Sequence, residues 1–184
     1  MQPVIRTAAL ALAFVALVSA AVAQPASAPG GGSTAARFLV QAGAGGAAEI
    51  ALGRLASQQA SREDVRQFGR KMVEDHGRTQ AELKQLSGAK GLVVPDSPTP
   101  AQQKVAERLA GLAGDPFDRS YLNRMALDHT DTIALFRREA RAGRDPELKA
   151  FAARTLPALQ EHLAMVRSLQ TKGGPMNRVE NERK

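Results

Sequence analysis

The chain has 184 residues, no Cys, no Trp, one Tyr and six Phe, and it carries a formal charge of +7. That length suits one domain, and the lack of Cys excludes disulfide frameworks, thiol catalysis, thiolate metal sites and a lipid-modified cysteine anchor. So few aromatics exclude a stacking platform for single-stranded nucleic acid, and a hydrophobic content of 43% argues against disorder.

Arg6 is the only charged side chain in the first 36 residues, and an apolar run over 8–23 follows it. Ala21-Val22-Ala23 fits the small-x-small cleavage pattern, so residues 1–23 read as a signal peptide cut before Gln24, and the product as periplasmic or secreted. If uncleaved, the run would anchor the chain to a membrane, although it is short of the roughly 20 residues of a spanning helix. Residues 24–33, QPASAPGGGS, read as a flexible linker. Residues 34–171 carry the helical signals. The polar end, 172–184, reads as a disordered tail.

Four long stretches have helical period, and alternating strand pattern is almost absent. The first covers 34–59. The second covers 61–86, with Ser61 and Asp64 spaced as in a capping box. The third opens with Asp115-Pro116 and ends near Gly143; the fourth opens with Asp145-Pro146 and ends before Gly173. Between the second and third lie residues 88–114, with VVPDSPTP and then a short helical pattern over 102–112. Short loops make each pair an antiparallel hairpin, and the long connection can run the length of a bundle. The second and third helices then lie parallel. The expected fold is all-α, a ferritin-like four-helix bundle with a short extra helix in its long crossover. Gly43, Gly45, Gly46 and Gly53 weaken the first helix by about 1 kcal/mol each; either they permit close packing or that helix starts near Ala47.

Each helix has an apolar stripe, and a metal-binding group interrupts each stripe. The first reads Phe38, Ala42, Gly45, Glu49, Leu52, Ala56; the second Val65, Phe68, Met72, His76, Thr79, Leu83, Leu86. The third reads Leu122, Met125, His129, Thr132, Phe136, and the fourth Leu148, Phe151, Thr155, Leu159, His162, Val166, Leu169. All three histidines of the chain therefore face the core, with one glutamate. At about 1.5 Å per residue, the parallel crossover puts His76 near 21 Å, His129 near 20 Å, Glu49 near 16 Å and His162 near 15 Å from one end. That spread is within side-chain reach. The motif M-x-x-D-H-x-x-T occurs twice, at Met72 to Thr79 and Met125 to Thr132, and Glu161-His162 is a relative of it. Asp75, Asp128 and Glu161 are candidates for the rim of the site or for fixing a histidine tautomer. A metal-free polar core would also partner the buried groups.

The segments FLVQAGAGGAAEIALGRLA, VRQFGRKMVEDH, FDRSYLNRMALDH and ELKAFAARTLPALQEHLAMV resemble a family of bacterial exported proteins known as a domain of unknown function, whose members are often labelled membrane or outer-membrane proteins. The resemblance spans about 38–169. It implies a ferritin-like bundle and an envelope location, and no established reaction. Di-iron ferritin-like bundles use Glu-x-x-His on two helices, whereas Val73, Ala126 and Leu159 stand three residues before the histidines here. Three histidines and a carboxylate suit a single borderline ion, Zn, Mn, Fe or Cu, better than paired irons. Met72, Met125 and Met165 lie within four residues of a histidine, which would favour copper; methionine is also ordinary core filler.

The competing expectation is a metal-free envelope protein, in stress response or as a structural or interaction protein, binding anionic lipid or polysaccharide through Arg62, Arg66, Arg70, Arg137, Arg138, Arg141 and Arg144. A nucleotide enzyme is excluded. Gly43-Ala44-Gly45-Gly46 mimics a dinucleotide turn without a βαβ context, and the chain has no P-loop, no G-x-S-x-G elbow and no convincing nucleophile.

Overall fold

In the computed structural model, residues 31–173 are described and fold into five helices: α1 (Gly31–Gln59), α2 (Glu63–Gly88), α3 (Pro100–Ala110), α4 (Gly114–Ala142) and α5 (Pro146–Lys172). The expected signal peptide over 1–23, residues 24–30 of the linker and residues 174–184 of the tail lie outside the described residues. Among the described residues there is no strand, and no helix is long and apolar enough to cross a membrane.

Contacts at the two ends give the direction of each helix. At one end, Asp118 near the start of α4 accepts hydrogen bonds from the Ser61 amide, the Ser61 hydroxyl and the Arg62 amide at the start of α2, at 2.9, 2.6 and 2.9 Å. Arg62 also donates to the Leu169 carbonyl near the end of α5, at 3.0 Å. At the other end, Lys90 pairs with Asp145 at 2.9 Å, and Phe38 of α1 meets Phe136 and Phe151 edge-on. So α2 and α4 run parallel, each within an antiparallel hairpin, and the crossover with its α3 joins them. This is the ferritin-like arrangement anticipated from the long link.

Local chemistry explains the helix boundaries, with two departures from expectation. Asp145 caps α5 as its sequence suggests, accepting from the amides of Glu147 and Leu148, with Pro146 at the first position. Ser61 does not cap α2. Arg62 occupies that position without a side-chain cap, and the Ser61 hydroxyl is itself engaged as a donor to Asp118, which also takes the Ser61 and Arg62 amides just before the helix. Asp115 is likewise not a cap: α4 starts one residue earlier, at Gly114 with φ +63°, after Ala113. The crossover helix has a full capping box between Thr99 and Gln102. We expect Asp118→Ala to cost about 2 kcal/mol, since it strands three donors around a charge-assisted acceptor; the urea midpoint would fall further than for Ser61→Ala.

The glycine question has a position-by-position answer. The α1 helix is continuous, with no late start at Ala47. A Cβ on Gly53 would lie 2.7 Å from the Gly69 carbonyl, and one on Gly69 2.7 Å from the Gly53 carbonyl, so α1 and α2 touch backbone to backbone here. A Cβ on Gly43 would strike Val94 of the crossover at 2.6 Å. Gly45 is different: nothing lies within 4 Å of its would-be Cβ.

The core divides into two apolar clusters. One, at the α1/α2 loop end, contains Leu52, Val65, Phe68, Met72, Tyr121, Met125 and Val166. The other contains Phe38, Leu39, Leu83, Ile133, Phe136, Phe151 and Leu159. Between the two clusters each long helix carries a buried polar residue at one common level: Glu49, His76, His129 and His162.

Candidate metal centre

These four side chains form one layer across the bundle. The three imidazoles make a near-equilateral triangle, with ring centroids 5.4 to 5.5 Å apart, and each offers a ring nitrogen within 4.8 Å of the other two. Exposure is 4% for His76, 0% for His129, 2% for His162 and 1% for Glu49, so any charge here must find its partner inside the layer.

Hydrogen bonds on the outer side of the rings fix which nitrogens face inward. His129 Nδ1 lies 2.9 Å from the Met125 carbonyl, which only accepts, so that nitrogen carries a proton and Nε2 is the one turned toward the other rings. His162 Nε2 lies 2.8 Å from an Asp75 oxygen and donates to it, which leaves Nδ1 bare. His129 Nε2 and His162 Nδ1 face each other at 3.3 Å, within hydrogen-bond distance. Two lone pairs at that distance repel unless a cation, proton or metal, lies between them. Glu49 stands on the Nδ1 side of His76, at 2.9 Å, and of His129, at 3.5 Å. Both are ion-pair distances, yet neither Glu49 oxygen completes a hydrogen bond, and His76 Nε2 is buried without a partner.

Each acid of the repeated motif has its own surroundings. Asp75 holds His162 and is itself held by Lys71, at 3.0 Å, and by Arg78. Burial would raise its pKa, but His162 and Lys71 hold it below the usual value. Asp128 is clamped at both oxygens by Arg124 of its own helix, and burial raises its pKa. Glu161 is exposed on the outer face. Met72 and Met125 are buried in the first apolar cluster, and Met165 packs half-buried against it. Sequence reading passed over Lys71, Arg78 and Arg124, although their spacings of three and four residues from Asp75 and Asp128 signal such pairs. It also passed over Tyr121, whose buried hydroxyl has no hydrogen-bond partner and whose pKa is raised by burial and by the charge of Glu49.

The layer has an uneven charge state. For Glu49, burial would raise the pKa, but the charges of His76 and His129 outweigh it and bring it down to about 2. His76 goes the other way: burial would lower its pKa, yet the Glu49 carboxylate raises it overall. His162 falls to about 4, chiefly through burial, against its bond to Asp75. Without a bound ion, these shifts set the pH dependence of stability. Depressed values for Glu49 and His162 mean that the folded chain binds fewer protons than the unfolded one, so stability is lost as pH falls below about 6.5 toward 4 and then 2. The raised value of His76 adds stability that is lost as pH rises through it. The urea midpoint of metal-free protein is expected to peak at about pH 6 to 7 and fall on both sides.

Comparison with known proteins supports the architecture. The crystal structure of a DUF305 protein from Streptomyces coelicolor, described as a "putative secreted protein", is similar with a TM-score of 0.66 at 12% identity, covering 77% of this chain and 94% of that one. A DUF305 fragment from Deinococcus radiodurans gives 0.67 at 13% identity, covering 76% and 96%. At these identities the likeness is one of fold. No curated protein matches the chain. The sequence model of the family described as Domain of unknown function (DUF4142) matches residues 20–169, and the chain belongs to that family.

Proposed function

We propose that the protein binds one transition-metal ion inside its bundle through His76, His129 and His162, with Glu49 and Asp75 orienting the rings from behind. The observation that carries this reading is the convergence of three buried ring nitrogens, with those of His129 and His162 only 3.3 Å apart. A tetrahedral ion with metal–nitrogen bonds of about 2.0 to 2.1 Å holds adjacent ligand nitrogens about 3.3 Å apart. The unpartnered Nε2 of His76 supplies the third donor. Carboxylates and a backbone carbonyl on the far nitrogens are the usual support of metal-binding imidazoles, fixing tautomer and orientation. Glu49, counted with the ligands on spacing alone, takes this supporting role because it lies on the Nδ1 side of two rings.

An all-nitrogen set suits Zn, Fe, Cu or Mn in a borderline site and gives no reason to single out copper, since the methionines belong to the apolar cluster. Three protein ligands leave a coordination position for water or a small ligand. The Ala21-Val22-Ala23 pattern and the description of the Streptomyces protein both support export, with work in the periplasm or outside the cell. Of the seven arginines of the competing reading, Arg62 is tied to Asp64, and Arg66 and Arg70 to Glu63.

The test is metal content by mass spectrometry of residues 24–184 exported to a periplasm, beside a His76→Ala, His129→Ala, His162→Ala triple variant. Near-stoichiometric metal in the first and none in the second is expected. A metal-free native protein that also refuses reloading with Zn, Mn, Fe and Cu would make the layer a polar network only.

A further inference from the structure

A cleft of about 290 Å³ opens between α1, the start of α3 and α4. Its lining includes Gly45, Gln102, Arg124, Asp128 and Asp131, and it reaches Glu49. Glu49 is therefore a wall shared by the cleft and the histidine layer, since the same carboxylate stands beside His76 and His129. Its two oxygens are buried and complete no hydrogen bond.

The charges in the cleft favour a cation. Glu49, Asp128 and Asp131 run from the buried end to the exposed rim, in a chain whose overall charge is +7. Arg124 does not offer an anion site, because both oxygens of Asp128 hold it, and an anion passing it would meet Glu49. Arg138, at the rim, is the remaining basic group.

Gly45 is the second observation. Glycine inside a helix costs stability, and here no neighbour demands it: a Cβ would meet nothing within 4 Å. Gly43, Gly53 and Gly69 are required by close contacts; Gly45 is not. What its missing side chain leaves clear is the cleft.

We propose that this cleft is the route by which a divalent transition-metal ion reaches the histidine layer, steered by Asp131 and kept open by Gly45. The inference rests on the metal-binding reading above and adds the way in.

Metal-free protein is mixed with excess Co²⁺, uptake is followed by stopped-flow absorbance, and final occupancy is measured by mass spectrometry, with circular dichroism as the check on folding. Gly45→Leu fills the mouth with close-packed atoms and is expected to slow uptake on the order of tenfold, with final occupancy unchanged. Asp131→Asn, an exposed change that leaves the bundle intact, is expected to slow uptake about twofold at low salt and not at about 1 M. Glu74→Gln, which is exposed and outside the cleft, should change nothing. Full occupancy reached at unchanged rates in Gly45→Leu and Asp131→Asn would overturn the route and leave the site standing. Lost occupancy in folded Gly45→Leu would also overturn it, because Gly45 would then act on the site itself. No uptake by the native chain would remove both readings together.

Discussion

Glu49→Ala is expected to destabilise the metal-free protein by about 3 to 5 kcal/mol, the usual cost of removing one partner from a buried ion pair. Glu49 is 1% exposed and is the acid that stands on the Nδ1 side of both His76 and His129. His76, with its raised pKa, would then titrate near or below the ordinary value, and its charged form would lose its stabiliser. Metal affinity should fall by about 10- to 100-fold in the same variant, as for other changes behind a metal-binding imidazole. Glu49→Gln keeps the shape and removes the charge, so the metal-free form should recover part of the packing but none of the ion pair. Urea unfolding of the metal-free variants and competitive metal titration measure the two effects separately. If Glu49→Ala and Glu49→Gln both unfolded at the native midpoint, the carboxylate would have no stabilising role in the layer.

Gly69→Ala is expected to cost about 3 kcal/mol, although alanine is the better helix former by about 1 kcal/mol. The new methyl would stand 2.7 Å from the Gly53 carbonyl, 2.8 Å from the Ser57 amide nitrogen and 3.0 Å from the Ala56 Cβ. Two of those atoms are backbone and cannot rotate away, so α1 and α2 must separate along their contact. Gly77→Ala is the internal control. It lies on the same helix with nothing within 4 Å of its would-be Cβ, and should gain up to about 1 kcal/mol. Opposite signs for two identical substitutions eight residues apart would establish the backbone contact; equal signs would contradict it.

The order of helices and the level of the four polar residues were legible because both follow from local rules. Three apolar stripes broken by histidine and one by glutamate leave few ways to bury those groups together, and the long link chooses among them. Asp145-Pro146 marks a true helix start for the same local reason. What could not be read depends on partners distant in sequence. The amides of Ser61 and Arg62 go to Asp118, more than fifty residues away, so the apparent capping box at Ser61 misleads. Gly43, Gly45 and Gly53 look alike in the sequence, yet Gly43 faces the crossover, Gly53 faces α2 and Gly45 faces open space. The repeat M-x-x-D-H-x-x-T puts Asp75 beside α5, where it meets His162, and Asp128 on the cleft, where Arg124 takes it. Identical motifs acquire different tasks from their neighbours. Glu49 shows the same limit: its level was readable, but which face of the imidazoles it meets was not.

The polar layer between two apolar clusters also sets the sliding position of every helix. Moving one long helix by a single turn, about 5.4 Å, would push its imidazole or carboxylate into a wholly apolar neighbourhood and leave the other three short of a partner. Burying one unpaired polar group costs about 1 to 3 kcal/mol, and a charged one more. Between α1 and α2 the Gly53–Gly69 contact opposes such a shift as well; for α4 and α5 the polar layer is the stronger constraint. The layer thus acts as a detent that favours one register over its neighbours.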